Sequence, residues 1–322
     1  MNVTAGARAF LAGLIDYAGL FPPAALPLEP ALAEYARHRD GPDAWMLGRF
    51  IVPAARLEAL AAALAADPFL AGRRPWSLAV LAGGSGDLAA AMAVLPAQAD
   101  AVAACEQSGP RGLSVDGLEA PLPAGAAAAT ALAGAMADEG LGGRDLYLEP
   151  GPGAAIEAAL DDIAAAAAEW AGKGGAFPAL GVKLRCGGLA PEAFPTPERV
   201  AAVLAGCAQR GLPLKFTAGL HHPVRHRSES PPVMMHGFLN VVGAALLANA
   251  GDAEAGVLAA CLSEIDVAAF RLDGDGFAWG GHRLDAAAVA KARTARVSGF
   301  GSCSFEEPRQ DLISLGMLPP NS

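Results

Sequence analysis

Short apolar runs alternate with alanine-rich stretches along almost the whole chain. Eight of these runs predict strands, at 13–18, 48–53, 76–82, 101–107, 145–150, 181–186, 213–218 and 296–302. Helical stretches follow several of them, at 53–66, 86–95, 124–139, 153–171 and 196–209. Thr196-Pro197-Glu198-Arg199 opens the last of these with a capping hydroxyl and a proline at the first helical position. Repeated strand–helix units of this number predict an α/β fold, a (β/α)8 TIM barrel, in one domain over 1–322. A doubly wound sheet would favour a glycine-rich phosphate loop after the first strand, and Asp16-Tyr17-Ala18-Gly19-Leu20 is not one.

The regularity breaks in the final third. A loop rich in His, Arg, Ser and Pro runs from His221 to His236, and helices follow at 237–250 and 253–263. Phe270-Arg271-Leu272-Asp273-Gly274-Asp275-Gly276-Phe277-Ala278-Trp279 then predicts a β-hairpin with a D-G turn. Helix and hairpin together, at 251–295, read as an insertion before the last strand. The spacing of Asp273 and Asp275 echoes a calcium loop, but the later ligands are missing, so a turn is expected.

Composition narrows the function classes. Over half of the 322 residues are apolar and the net charge is −10, which argues against binding nucleic acid over the whole surface. Five widely spaced cysteines without a C-x-x-C pair fit reduced thiols. The apolar run 9–14 ends at Asp16, too short for a signal peptide, and no run approaches the roughly 20 apolar residues of a membrane span. The expected location is cytoplasmic, with no membrane partner.

The best clue to chemistry is a pair of lysines at the heads of similar segments. One reads Val182-Lys183-Leu184-Arg185-Cys186-Gly187-Gly188, the other Leu214-Lys215-Phe216-Thr217-Ala218-Gly219-Leu220. Alternation along a strand puts Lys183 and Arg185 on one face, and Lys215 and Thr217 on one face. A neutral lysine attacks carbonyls, and crowding by other cations on neighbouring strands is one way to make it neutral. The competing reading pairs both lysines with Asp16, Asp100 and Glu149 in a filled barrel.

These segments resemble, in order, those of the deoxyribose-phosphate aldolases and their class I aldolase relatives. Leu14-Ile15-Asp16-Tyr17 is similar to the family's opening strand, and Phe50-Ile51-Val52-Pro53 to its second. Ala99-Asp100-Ala101-Val102 resembles the fourth strand, whose aspartate helps relay protons. Leu146-Tyr147-Leu148-Glu149-Pro150-Gly151 resembles the strand with a glutamate near its end. Val182-Lys183, with Gly187 and the helix after it, resembles the strand of the Schiff-base lysine. Leu214-Lys215 with Gly219 resembles that of the second, pKa-lowering lysine, and Gly301-Ser302 the phosphate loop of the last strand. The chain departs from the family in Arg185, in Gly219-Leu220-His221-His222-Pro223, and in the insertion.

The resemblance implies a lyase that forms a Schiff base on Lys183 with a small anionic carbonyl metabolite and needs no cofactor. Lys215 would tune Lys183. Glu149, Asp16 and Asp100, or Glu106 at the far end of its run, would move protons. Arg185, His221, His222, Gly301 and Ser302 would hold the anionic end. Structural ion pairing competes for each carboxylate, and loop packing for the histidines.

Two other readings stand beside it. One is a metal-dependent isomerase or hydrolase using His221, His222 and Glu149, although no H-x-H spacing supports a metal and none is assigned. The other is a barrel that binds a ligand without turning it over. The loop 221–236 either closes over the substrate as a lid or is an ordinary solvated loop. Cys303 reads as structural, since no flanking residue argues for a low thiol pKa. Self-association into a homo-oligomer stays open.

Overall fold

The strands run β1 (Ile15–Tyr17), β2 (Leu47–Pro53), β3 (Trp76–Leu81), β4 (Leu113–Pro121), β5 (Asp145–Glu149), β6 (Leu180–Arg185) and β7 (Leu214–Thr217). The short strands β8 (His226–Arg227), β9 (Met234–Met235), β10 (Phe270–Asp273), β11 (Gly276–Trp279) and β12 (His282–Asp285) lie outside the barrel, to which β13 (Val297–Ser302) returns. In this computed structural model, which describes residues 2–72, 74–84, 86–251 and 254–320, eight parallel strands close a barrel in the order β1-β13-β7-β6-β5-β4-β3-β2. The fold is a (β/α)8 TIM barrel. The chain forms two compact units, one of Met1–Tyr17, Pro42–Gly48 and Leu184–Ser322, the other of Ala18–Gly41 and Arg49–Lys183.

The second unit carries most of β2, all of β3 to β5 and most of β6. Its register aligns Val52, Val80, Leu118, Leu146 and Leu180 across five strands, all buried. Each such side chain contributes about 1.5–3 kcal/mol by leaving water. The next row, Leu81, Glu119, Tyr147 and Gly181, points to the opposite face, because neighbours along a strand alternate. Near the start of these strands Arg49 and Asp145 pair at 2.6 Å. Gly117 makes room for that arginine, since a Cβ there would lie 2.6 Å from Arg49 Nη1.

One strand is not where the sequence pattern puts it. Residues 101–107 belong to the helix Leu95–Ser108, whose buried positions Leu95, Val102 and Cys105 follow helical spacing. The true fourth strand, Leu113–Pro121, carries a register shift: Val115 faces Leu78, but Gly117 faces Ala79. Asp116 is the extra residue of this bulge and accepts from the Ser77 hydroxyl. The bulge breaks the period of two, and Gly117, Glu119 and Pro121 disguise the remainder as a loop.

The expected absence of a long apolar run also fails. Leu88–Ser108 is long and apolar enough to cross a membrane by length and composition. Here it forms the helices Leu88–Ala93 and Leu95–Ser108, and its Gln98 amide accepts from Gly83 N–H and donates to Gly83 O.

The first unit holds β1, β13 and β7, paired as Asp16 with Gly301, Tyr17 with Ser302 and Thr217 with Gly301. The helix Pro197–Arg210 begins as expected: Thr196 Oγ1 accepts from Arg199 N–H at 3.3 Å, and Gly211 ends it in the left-handed region. The helix Phe238–Ala250 is buried along most of its length. The helix expected from 253 is found as Ala255–Ser263, and residue 253 lies outside the described residues.

The expected hairpin forms as β10 and β11, and β12 extends it to a three-stranded antiparallel sheet. Arg283 on β12 reaches Asp273 at 3.2 Å and Asp275 at 2.8 Å, so the carboxylates that echoed a calcium loop flank a guanidinium. The N-terminal helix Ala5–Leu11 docks on this sheet. Thr4 Oγ1 donates to Leu272 O, and a Cβ at Gly6 would lie 2.2 Å from Gly276 O. Arg293 donates to Phe10 O and Ala12 O, each at 2.9 Å.

Candidate functional site

Lys183 is 7% exposed near the end of β6. Its Nζ lies 2.8 Å from Glu119 Oε2 on β4 and 3.0 Å from Glu149 Oε2 on β5. All three residues belong to the second unit. The register explains the meeting: Glu119 and Glu149 sit where β4 and β5 end, on the face to which Lys183 points. Burial by itself would push the ammonium toward neutrality. The two carboxylates more than reverse this, and the Lys183 pKa is raised above its ordinary value. The expectation of a resting neutral Lys183 is therefore overturned: its neighbours in space are acids.

Glu119 is the residue that sequence reasoning missed, because its strand was misplaced. A signal existed. Leu118-Glu119-Ala120-Pro121 and Leu148-Glu149-Pro150 both put Leu-Glu shortly before a proline at a strand end. Asp100 and Glu106, expected on the fourth strand, are on the helix Leu95–Ser108 instead. Asp100 is exposed. Glu106 pairs with Arg144 at 2.8 Å and accepts from Val115 N–H, which ties helix to strand near the start of β4. Neither joins Lys183, so their proton-relay roles are withdrawn, and the likeness of Ala99-Asp100-Ala101-Val102 to a strand fails with them.

In the first unit Lys215, 1% exposed, is ion-paired with Asp16, 6% exposed. Asp16 has room because Gly48 lacks a side chain; a Cβ there would stand 2.1 Å from Asp16 Oδ1. Lys215 thus has a carboxylate of its own. Gly301 is buried beside Asp16 and Thr217 in β13, and Ser302 is 2% exposed. Ser302 Oγ accepts from Ser304 N–H at 3.4 Å. Arg185 is exposed where β6 ends.

The two adjacent histidines each face a carboxylate. His221 Nδ1 lies 3.4 Å from Glu307 Oε2, and His222 Nδ1 lies 2.7 Å from Asp311 Oδ2. Glu307 and Asp311 are one turn apart on the helix Glu306–Ser314. The His222 ring meets His226 edge-on at 4.6 Å. Burial lowers the pKa of His221 and of His226. Among the described residues no group of three or more His, Cys, Asp or Glu is placed to hold a metal ion.

The loop 221–236 is tied down at both ends. Arg225 N–H donates to Asn240 Oδ1 at 2.8 Å, and the fully buried Asn240 amide donates to Cys261 O and Glu264 O. His236 is also fully buried, with Nε2 2.8 Å from Pro195 O and Nδ1 3.2 Å from Arg225 Nη1. Burial pushes its pKa down to about 4, so the neutral ring donates from Nε2 and accepts at Nδ1. Between these anchors β8 and β9 form a short antiparallel ladder.

No protein-family model and no curated protein sequence matches this chain.

Proposed function

We propose that this protein is a lyase of the class I aldolase type, which forms a Schiff base between Lys183 and a small anionic carbonyl compound. The observation that carries the reading is the buried lysine held between two carboxylates at the ends of β4, β5 and β6. Imine formation needs an amine that can lose its proton, then an acid that protonates the departing hydroxyl of the carbinolamine. Glu119 and Glu149 both stand within proton-transfer distance of Lys183. Glu149, whose side chain is 19% exposed against 1% for Glu119, carries protons to and from substrate; Glu119 takes the lysine's proton as attack begins. No cofactor is needed for this chemistry. The five buried cysteines carry thiols rather than disulfides, in keeping with a cytoplasmic location.

The test is borohydride trapping. The full chain is incubated with small aldehydes, ketones and their phosphates, reduced, digested and read by mass spectrometry. An adduct on Lys183, absent from Lys183→Met and slowed in Glu149→Gln, is expected. If a control aldolase is labelled and Lys183 is not, the Schiff-base reading falls. Retained ligand without labelling would then favour a non-catalytic binding barrel, and activity lost to a chelator the metal-dependent alternative.

A further inference from the structure

Cys303 follows directly on β13, and its Sγ lies 3.8 Å from His221 Nδ1. The same nitrogen is 3.4 Å from Glu307 Oε2. Three separate segments meet here: the loop after β7, the exit of β13 and the helix Glu306–Ser314. We infer that Cys303 is the reactive thiol of this chain, with His221 as its proton acceptor, and that the site takes soft carbon electrophiles such as haloacetamides and α,β-unsaturated carbonyl compounds.

The geometry defines the proton's path. It passes from Sγ to His221 Nδ1 in the tautomer whose ring proton sits on Nε2, and the Nδ1–H so formed donates to the Glu307 carboxylate, which offsets the positive charge on the ring. Burial keeps His221 below its ordinary value, so the ring is unprotonated and able to accept at neutral pH; Glu307 opposes that shift, while His222 and His226 reinforce it. With a haloacetamide, the sulfur–carbon bond forms as the carbon–halogen bond breaks, and halide leaves with the electron pair. With an unsaturated carbonyl, sulfur adds at the β carbon, the displaced electron pair forms an enolate, and the α carbon takes the proton back from His221.

The other four thiols are more deeply buried, at 0–1% exposed against 7% for Cys303. Burial pushes Cys105 up to about 11 and Cys186 up to about 12, and it raises Cys261 as well. Cys207 is fully buried on the helix Pro197–Arg210.

Pulsed iodoacetamide labelling of the folded chain, read at each cysteine by mass spectrometry, tests the inference. At neutral pH Cys303 should label about tenfold or more faster than the other four, and His221→Asn should remove most of that advantage. Equal rates at all five cysteines in the folded wild type, or an unchanged Cys303 rate in His221→Asn, overturn it. If the variant unfolds, so that all five label together, thiolate absorbance decides. A signal that titrates below the ordinary thiol value in wild type and is missing from Cys303→Ser supports the inference. The same titration in both proteins overturns it.

Discussion

Gly187 and Gly219 touch backbone to backbone. A Cβ on Gly187 would lie 2.9 Å from Gly219 Cα and 2.6 Å from Phe194 Cε1. Gly219 also has φ +71, which disfavours any side chain. The recurring spacing of lysine and glycine in the two segments is thus a packing requirement just past the strand ends, where Cys186 N–H also donates to Thr217 O at 2.8 Å. Gly187→Ala and Gly219→Ala should each destabilise the fold by about 1–3 kcal/mol, read as a lower urea midpoint at unchanged slope. An unchanged midpoint would mean the two segments separate freely.

Removing one acid from the lysine cluster exposes its electrostatics. The Lys183 pKa is raised above 10.5, so its stabilising contribution is complete below that pH and is lost as pH rises through the folded-state value. Glu119→Gln should cost about 3 kcal/mol near neutral pH, since it leaves a buried ammonium with one fewer anion. The alkaline loss of stability should also begin at lower pH than in wild type. Urea unfolding repeated from neutral to alkaline pH checks both points, and superimposable curves would argue against the ion pair.

Asp16 and Lys215 form a second buried ion pair. Lys215→Met or Asp16→Asn alone should destabilise by about 3–5 kcal/mol, because each takes an ion-pair partner from a buried charge. The double variant should lose less than the two losses added, with a coupling of about 1–3 kcal/mol. Strict additivity in a double-mutant cycle would remove the pair from the description.

His236 predicts the acid limb. Its folded pKa is about 4 against an ordinary 6.5, so the unfolded chain binds the proton first. Stability from this group is full above 6.5 and drains as pH falls toward 4, by about 3 kcal/mol in all. His221 and His226 are lowered too and act in the same direction. The stability difference between wild type and His236→Gln should therefore shrink as pH falls from 7 to 4. A difference that stays constant would mean that the ring titrates normally.

Most of the barrel was legible in the sequence, because β2, β3 and β5 to β7 are short apolar runs bounded by turn residues, and a parallel strand has little other way to look. The fourth strand was not, since its bulge at Asp116 and its inward Glu119 break the pattern on which such a reading depends. The site divides along the same line. Lys183 was marked as the head of a repeated segment and Glu149 as the end of a visible strand, and Asp16 was found with the first. Glu119 was lost with its strand, while Asp100 and Glu106 were credited with a strand they do not form. The pairing of His221 with Cys303, 82 residues apart, leaves no local trace, so a thiol that looked inert in sequence comes beside a histidine only through the fold.

The docking of the helix Ala5–Leu11 on β10 and β11 sets a schedule for synthesis. The surface that receives this helix, and the Arg293 that clasps its carbonyls, are made more than 250 residues after it. Until then its apolar face, with Phe10 and Leu11, stays without its native cover. A chain of this kind completes this part of its fold late, and meanwhile offers chaperones a hydrophobic handle.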